Sequence, residues 1–151
     1  ADVVMVTCTS VNEAAKYARR FSQVPVFNID EPTVREALEI GNRIGVLATL
    51  PTSPKGTVRL IEEYARETGK TPEIVTRVAE GAYDILVSGD RPRHDALVIE
   101  ALRELAREVD CIIFAQISMS MVPLPADLGV PVLKIGDAGI REALRLLHLE
   151  E

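Results

Sequence analysis

The chain has 151 residues, of which 47% are hydrophobic and 26% are charged, with a net charge of −6 and two cysteines. This is the composition of a globular protein of one domain or two small ones. The acidic balance, the lack of Trp and the 4% of aromatic residues argue against nucleic-acid binding, which needs a basic face and usually stacking rings. No apolar run approaches the roughly 20 residues that cross a bilayer, so we expect no membrane association.

The two cysteines do not form a disulfide framework, and the first residues do not resemble a secretory leader. We therefore expect a cytoplasmic protein. The sequence lacks an initiator methionine and begins almost inside a strand, whereas natural domains usually have a few loose residues first. This indicates a fragment, or a chain whose N-terminal part is not included.

Apolar runs rich in β-branched residues alternate along the chain with amphipathic segments. In chain order the pattern predicts a strand at 3–6, a helix at 12–21, a strand at 24–29, a helix that Asp30 caps and Gly41 ends, a strand at 43–48, a helix at 57–68, a strand at 74–77, a short helix at 80–88, a helix at 95–108, and strands at 111–115 and 131–135 before a final helix at 139–148. Strands that alternate with helices predict an α/β fold of parallel βαβ units with helices on both faces of the sheet. Ligands of such sheets bind at the carboxyl ends of the strands.

Cys8 follows the first predicted strand and precedes the first predicted helix. The dipole and free N–H groups of a helix N-terminus favour the thiolate. Thr9 and Ser10 add hydroxyl and N–H groups that suit a carboxylate. The alternative is a small buried residue that closes a strand, because free cysteine is among the most buried residue types.

Other polar side chains also follow predicted strands. Thr49 and Thr52 follow the third strand and suit an anionic ligand, although hydroxyls there also cap helices. Gln116 and Ser118 follow the fifth strand and can form hydrogen bonds, but neither is a strong base. His94 precedes a helix that we expect Asp95 to cap, where it is either a general acid or base that reaches a cleft or a solvated histidine.

Cofactor motifs are weak in this sequence. Cys8, Cys111, His94 and His148 have no metal-ligand spacing. The glycines around residues 41–45 lack the strand-then-helix context of a phosphate-binding loop.

Taken in order, several short strings resemble the aspartate/glutamate/hydantoin racemase superfamily. They are residues 6–10 (VTCTS), 29–32 (IDEP), 43–52 (RIGVLATLPT), 80–83 (EGAY), 88–90 (SGD) with His94-Asp95, and 114–119 (FAQISM). The resemblance extends over essentially the whole chain. Each string alone is a weak signal, but six strings in the same order are specific to the family.

The resemblance implies two similar α/β lobes with an active site between them, and catalysis without pyridoxal phosphate or metal. It implies that Cys8 is a catalytic cysteine that faces the α-carbon of a small carboxylic acid. Thr9 and Ser10 from one lobe, and Thr49 and Thr52 from the other, match positions that bind the substrate carboxylate. In the hypothesis of an enzyme of this superfamily, Gln116 or Ser118 would orient the opposite face of the substrate.

The sequence departs from the family at two points. Gln116 stands where the second cysteine of the racemases would be, and Cys111 lies five residues earlier, within a strand. An amide does not shuttle protons at neutral pH, so decarboxylation or isomerisation by a single cysteine competes with racemisation. The second departure is an absence: family members carry an N-terminal stretch before the strand that precedes Cys8, and this sequence does not include it.

These departures keep a different class of protein open, a non-catalytic binder of small acids or an incomplete domain. For the domain limits, we expect residues 1–40 to be the remainder of an incomplete first lobe, residues 41–130 to be the second lobe, and residues 131–151 to return to the first lobe. We also expect a homo-oligomer.

Overall fold

Parallel strands form two sheets in the computed structural model, which describes residues 1–8 and 11–148. The smaller sheet pairs β1 (Val4–Val6) with β2 (Val26–Asn28). The larger sheet has the order β4 (Glu73–Val78), β3 (Arg43–Ala48), β5 (Cys111–Phe114) and β6 (Val132–Lys134). All pairings within both sheets are parallel, which confirms the predicted fold class.

Five α-helices lie in the connections between the described strands, and a sixth follows the last strand. They are α1 (Asn12–Phe21), α2 (Glu31–Ile40), α3 (Pro54–Glu67), α4 (Ala82–Val87), α5 (Arg91–Leu105) and α6 (Ile135–Leu146). None of the helices in the described part of the chain is both long and apolar enough to span a bilayer.

The larger sheet is buried on both faces because its central strands are apolar throughout. Ile44 and Val46 of β3 pack in one cluster with α2 and α3. Leu47 of the same strand packs in a second cluster with α4 and α5. This alternation follows the two-residue period of a strand, and a sheet covered on both faces needs the continuous apolar runs that the sequence carries.

Several helices begin earlier than the sequence predicts. The fifth helix begins at Arg91 rather than at 95, because Asp90 accepts the backbone N–H of Arg93 at 3.1 Å and caps it. The assignment of Asp95 as the cap is therefore wrong. The third helix begins at Pro54, a residue well suited to the first turn, and not at 57. The sixth helix follows β6 directly at Ile135.

The last segment of the chain joins both parts of the molecule. We expected residues 131–151 to return to the first lobe, but β6 pairs with β5 in the larger sheet, with Leu133 opposite Ile113. Helix α6 then packs on α2, and Gly139 lies against Ile29 at the end of β2. The strand of this segment thus belongs to the larger sheet, while its helix contacts the turn that follows the smaller one.

Candidate functional site

The carboxyl ends of β1, β3 and β5 open onto one cleft of about 490 Å³. The side chains come together because parallel strands present their carboxyl ends at the same edge. The cleft is lined by Thr7, Cys8, Thr52, Ser53, Lys55, Gly56, Arg59, Ala115, Gln116, Ile117, Ser118 and Ile135. Thr7 and Cys8 form the wall that follows the smaller sheet, and most of the others belong to segments that follow β3 and β5.

Cys8 lies in the cleft between the end of β1 and the start of α1. It is an exposed, free thiol, and its carbonyl accepts the backbone N–H of Val11 at 3.2 Å. The structure thus places the cysteine where a ligand can reach it, unlike a small residue that closes a strand. Thr9 and Ser10, which the sequence assigns to carboxylate binding, lie outside the described residues.

Buried polar side chains fix the start of α1 against the end of β2. Asn12 donates from Nδ2 to Asp30 Oδ2 at 3.5 Å, and Asn28 donates from Nδ2 to the carbonyl of Asn12 at 3.4 Å. All three side chains are buried. Because Asn12 follows Cys8 by four residues, these bonds hold the segment that carries the thiol to the smaller sheet.

The segments after β3 and β5 meet through Thr49 and Gln116. The backbone N–H of Thr49 donates to Gln116 Oε1 at 2.6 Å, and the Thr49 hydroxyl donates to the same oxygen at 3.1 Å. Gln116 lines the cleft, whereas Thr49 is only 3% exposed and lies behind it. Thr49 therefore contacts Gln116 rather than the cleft, where the sequence predicts that it binds a substrate directly.

Thr52 and Ser118 both line the cleft, as their positions after strands predict. Ser53 joins them and occupies the N-cap position of α3, but its side chain makes no capping hydrogen bond. The N–H groups in the first turn of a helix have no partner within the helix. The α3 N-terminus therefore presents donors and a partial positive charge to the cleft.

Lys55 and Arg59 are cleft residues that the sequence reasoning missed. They lie in the first turns of α3, four residues apart, so their side chains project from the same face of the helix. Neither forms an ion pair with any residue that the structure describes, and no carboxylate is among the cleft-lining residues. The available signal was this basic pair at helical spacing directly after the hydroxyls that follow β3.

His94 lies away from the cleft, within α5. It is fully buried on the same helix face as Val98 and Leu102, which places it in an apolar stripe. Its Nδ1 lies 2.7 Å from Asp95 Oδ1, and its Nε2 has no hydrogen-bond partner among the described residues. The expectation of a solvated histidine is wrong, and His94 is not one of the side chains that line the cleft.

The second cysteine, Cys111, is fully buried in β5. Burial raises the pKa of its thiol to about 11, and the nearby carboxylates of Asp110 and Glu36 act in the same direction. Cys111 therefore stays protonated at neutral pH and is a packing residue. Across residues 1–8 and 11–148 there is no group of three or more His, Cys, Asp or Glu side chains that could hold a metal ion.

Two parallel sheets that share a polar cleft at their strand ends define the class of protein, an α/β protein with a cleft at the edge where parallel sheets bind ligands. The profile of the Asp/Glu/Hydantoin racemase family matches residues 1–143. The chain therefore belongs to this family, and the resemblance seen in the sequence is confirmed. No curated protein matches the chain.

Several solved structures share the fold at low sequence identity. A putative Asp/Glu racemase from Yersinia pestis is 20% identical with a TM-score of 0.73, and the match covers 97% of this chain and 67% of that one. Glutamate racemase RacE1 from Bacillus anthracis is 18% identical with a TM-score of 0.65, covering 97% and 58%. A Gly74Cys mutant of arylmalonate decarboxylase is 18% identical with a TM-score of 0.64, covering 98% and 68%. The chain thus spans little more than half the length of the Bacillus racemase.

Proposed function

We propose that the protein is an enzyme that acts on a small carboxylic acid through the thiolate of Cys8, without pyridoxal phosphate or metal. One observation carries the proposal. The exposed thiol of Cys8 shares a cleft with the cations of Lys55 and Arg59, and no carboxylate of the described residues lines that cleft. A cysteine acts as a base or nucleophile when it is accessible and lies in an electropositive environment.

The walls of the cleft supply the binding groups for a carboxylate. Lys55 and Arg59 offer charge-assisted hydrogen bonds, which are roughly twice as strong as neutral ones. Thr52, Ser53 and the first turn of α3 add hydroxyl and N–H donors. An acid bound with one carboxylate at the start of α3 would share the cleft with Cys8.

The chemistry at Cys8 is proton transfer at the α-carbon. The thiolate removes the α-proton, so an S–H bond forms, the C–H bond breaks and the electron pair passes into the adjacent carboxylate as an enediolate. The S–H proton exchanges with water before a proton returns from the same sulfur, so the net reaction is exchange of the α-proton with solvent. Gln116 is neither an acid nor a base at neutral pH, so it does not deliver a proton to the opposite face, and the proton returns to the face from which it left.

Decarboxylation is the second candidate, and Gln116 is the observation that favours it. Loss of CO2 from a malonate, whose two carboxyl groups share one carbon, leaves the same enediolate, which needs one proton on one face. The thiol of Cys8 supplies that proton and is restored from water. A single thiol completes this reaction, as it completes a one-sided isomerisation, whereas racemisation requires proton transfer on both faces.

The test follows α-proton exchange in deuterated water and CO2 release with aspartate, glutamate, hydantoins and substituted malonates. We expect Cys8→Ala to abolish either activity, and a folded Cys111→Ala variant to retain it as the matched control. Full activity of Cys8→Ala contradicts the mechanism. The assay is run on the chain and on any longer natural form of it.

A non-catalytic binder of small acids differs from the enzyme in the reactivity of its thiol. An activated Cys8 reacts with iodoacetamide rapidly even at about pH 6, where an ordinary thiol is almost fully protonated. Slow alkylation at this pH, together with acid binding and no exchange, identifies the binder and contradicts the proposed enzyme.

A further inference from the structure

We infer that Gln116 is a fixed hydrogen-bond donor, aimed at an anionic oxygen of the acid in the cleft, and that Thr49 is the positioning residue that holds it. The inference deepens the proposed function and rests on it in one respect, that the ligand is a carboxylic acid. It gives a role to the side chain that replaces the second cysteine expected from the family resemblance.

The orientation of the Gln116 amide follows from the chemistry of its partner. Oxygen and nitrogen of a glutamine amide are assigned from the hydrogen-bond network around them. A backbone N–H can only donate, so the atom that meets the Thr49 N–H at 2.6 Å must be the oxygen. The Thr49 hydroxyl donates to the same oxygen at 3.1 Å. Both lone pairs of Oε1 are thereby used, and Nε2 must point elsewhere.

The backbone around Gln116 is held as firmly as the amide. The N–H of Ala115 donates to the carbonyl of Leu47 at 2.9 Å, which ties the end of β5 to β3. The carbonyl of Gln116 accepts the N–H of Met119 at 3.2 Å and opens the 3₁₀ helix Ile117–Met121. The side chain is therefore fixed at both of its ends.

The two N–H bonds of Nε2 are the free part of this side chain. Within the described ranges, no residue accepts a hydrogen bond from Gln116 Nε2, although the half-buried side chain lines the cleft. Two hydrogen bonds to Oε1 polarise the amide and strengthen its N–H groups as donors. A donor that is fixed before the ligand arrives loses little entropy when it binds.

This geometry matches what the proposed reaction requires of a second group in the cleft that contains Cys8. When the α-proton leaves, negative charge grows on the carboxylate oxygens, and a preorganised donor stabilises it without transferring a proton. Loss of one such donor lowers kcat by roughly a hundredfold or more in enzymes that use them. Gln116 would thus replace the chemistry of a second thiol with electrostatic stabilisation.

The experiment uses malonate as the probe and does not require turnover. The chain has only two glutamines, Gln23 and Gln116, so the side-chain amide signals of a ¹⁵N-labelled sample are assigned by single substitution. We expect malonate to shift the Gln116 amide protons downfield and to slow the alkylation of Cys8 with the same dissociation constant. The Gln23 signals stay in place.

Variants separate the donor from its support. Gln116→Glu keeps the acceptor for Thr49 but replaces the donors with a negative charge, and we expect it to weaken malonate binding roughly tenfold or more. Thr49→Val removes one of the two bonds to Oε1 and weakens binding roughly fivefold, whereas Thr49→Ser restores it. Gln23→Glu makes the same charge change in the α1–β2 connection and leaves binding unchanged.

The outcomes distinguish this inference from the proposed function. If malonate protects Cys8 but leaves the Gln116 amide unmoved, or if Gln116→Glu binds as tightly, the inference is overturned and the carboxylate site stands. If the amide shifts while Cys8 stays unprotected, Gln116 is the donor and the proposed role of Cys8 falls. If malonate neither shifts the Gln116 amide nor protects Cys8, the inference about Gln116 and the proposed function are both contradicted.

Discussion

At the scale of single residues, the two cysteines have opposite environments within one chain. Cys8 is exposed in a cleft with two cations, whereas Cys111 is enclosed in the core, where β5 packs against α2. The thiol of Cys111 contacts only the carbonyl of Ala37, at 3.8 Å, among its described hydrogen-bond partners. Burial therefore separates a reactive position from a packing position.

This contrast predicts selective alkylation. With a pKa of about 11, Cys111 has roughly a thousandth of its thiol ionised at about pH 8, and its burial excludes the reagent. We expect iodoacetamide to add one group per folded chain, at Cys8, and a second only after unfolding in denaturant. Peptide mass spectrometry locates the groups, and equal labelling of both cysteines would show that Cys111 is not enclosed.

Individual residues also show how much of the candidate site could be predicted from the sequence. The sequence predicts that four polar residues follow strands, and all four line the cleft: Cys8, Thr52, Gln116 and Ser118. Thr49 shared that signal but turns inward, since the direction of a side chain after a strand depends on a partner on another strand. Lys55 and Arg59 were missed because Pro51 and Pro54 suggested a longer turn before α3.

At the scale of elements, the buried carboxylate of Glu31 joins three helices. It accepts from Arg19 of α1 at 2.5 Å and from the hydroxyl of Tyr64 of α3 at 3.2 Å. Glu31 itself opens α2 and is 3% exposed. Burial, followed by the charge of Glu31, raises the pKa of Tyr64 to about 12, so the phenol stays a donor at neutral pH. These bonds hold the segment after Cys8 to the larger sheet.

Glu31→Gln tests this junction. The amide keeps the shape but leaves the Arg19 charge without its partner, and we expect a loss of about 1–2 kcal/mol in the free energy of unfolding. Glu73→Gln is the matched control, because the Arg43–Glu73 pair is exposed on both sides and should contribute less than about 0.5 kcal/mol. Urea denaturation measures both, and equal losses would mean that the junction is no stronger than a surface pair.

The contact between α6 and the end of β2 is a second junction between elements. A Cβ on Gly139 would collide with Ile29 Cγ1 and would lie 3.1 Å from the carbonyl oxygen of Ile29. A Cβ on Gly136, in the same helix, would meet the Ser120 hydroxyl at 3.3 Å, a side chain that can rotate away. The close approach of α6 therefore depends on Gly139.

We expect Gly139→Ala to lower the free energy of unfolding by about 1–3 kcal/mol, because overpacking outweighs the gain in helix propensity. Gly136→Ala should change it by less than about 1 kcal/mol. Thermal unfolding followed by circular dichroism compares the two variants. A Gly139→Ala variant as stable as the Gly136→Ala variant would show that α6 does not pack closely on Ile29.

At the scale of the whole molecule, the alternation of strands and helices was sufficient to predict the fold class. The continuous apolar runs of β3 and β5 indicate that the sheet is buried on both faces, and the structure confirms this burial. The assignment of strands to two sheets was harder to predict from the sequence. β6 is short, and its pairing with β5 is a long-range contact that the local hydrophobic pattern does not encode. The expected homo-oligomer stays a prediction.

The cleft is lined by one thiol, Cys8, and one side-chain amide, Gln116, from separate segments of the chain, and one-sided proton transfer depends on that asymmetry. The most direct test incubates the protein in deuterated water with one enantiomer of a chiral acid that it accepts as a substrate. Deuterium uptake at the α-carbon and inversion of configuration at that carbon are measured in the same sample. We predict uptake at the α-carbon that far outpaces inversion and that disappears in Cys8→Ala. Inversion that keeps pace with uptake, or uptake that survives Cys8→Ala, would contradict one-sided proton transfer by Cys8.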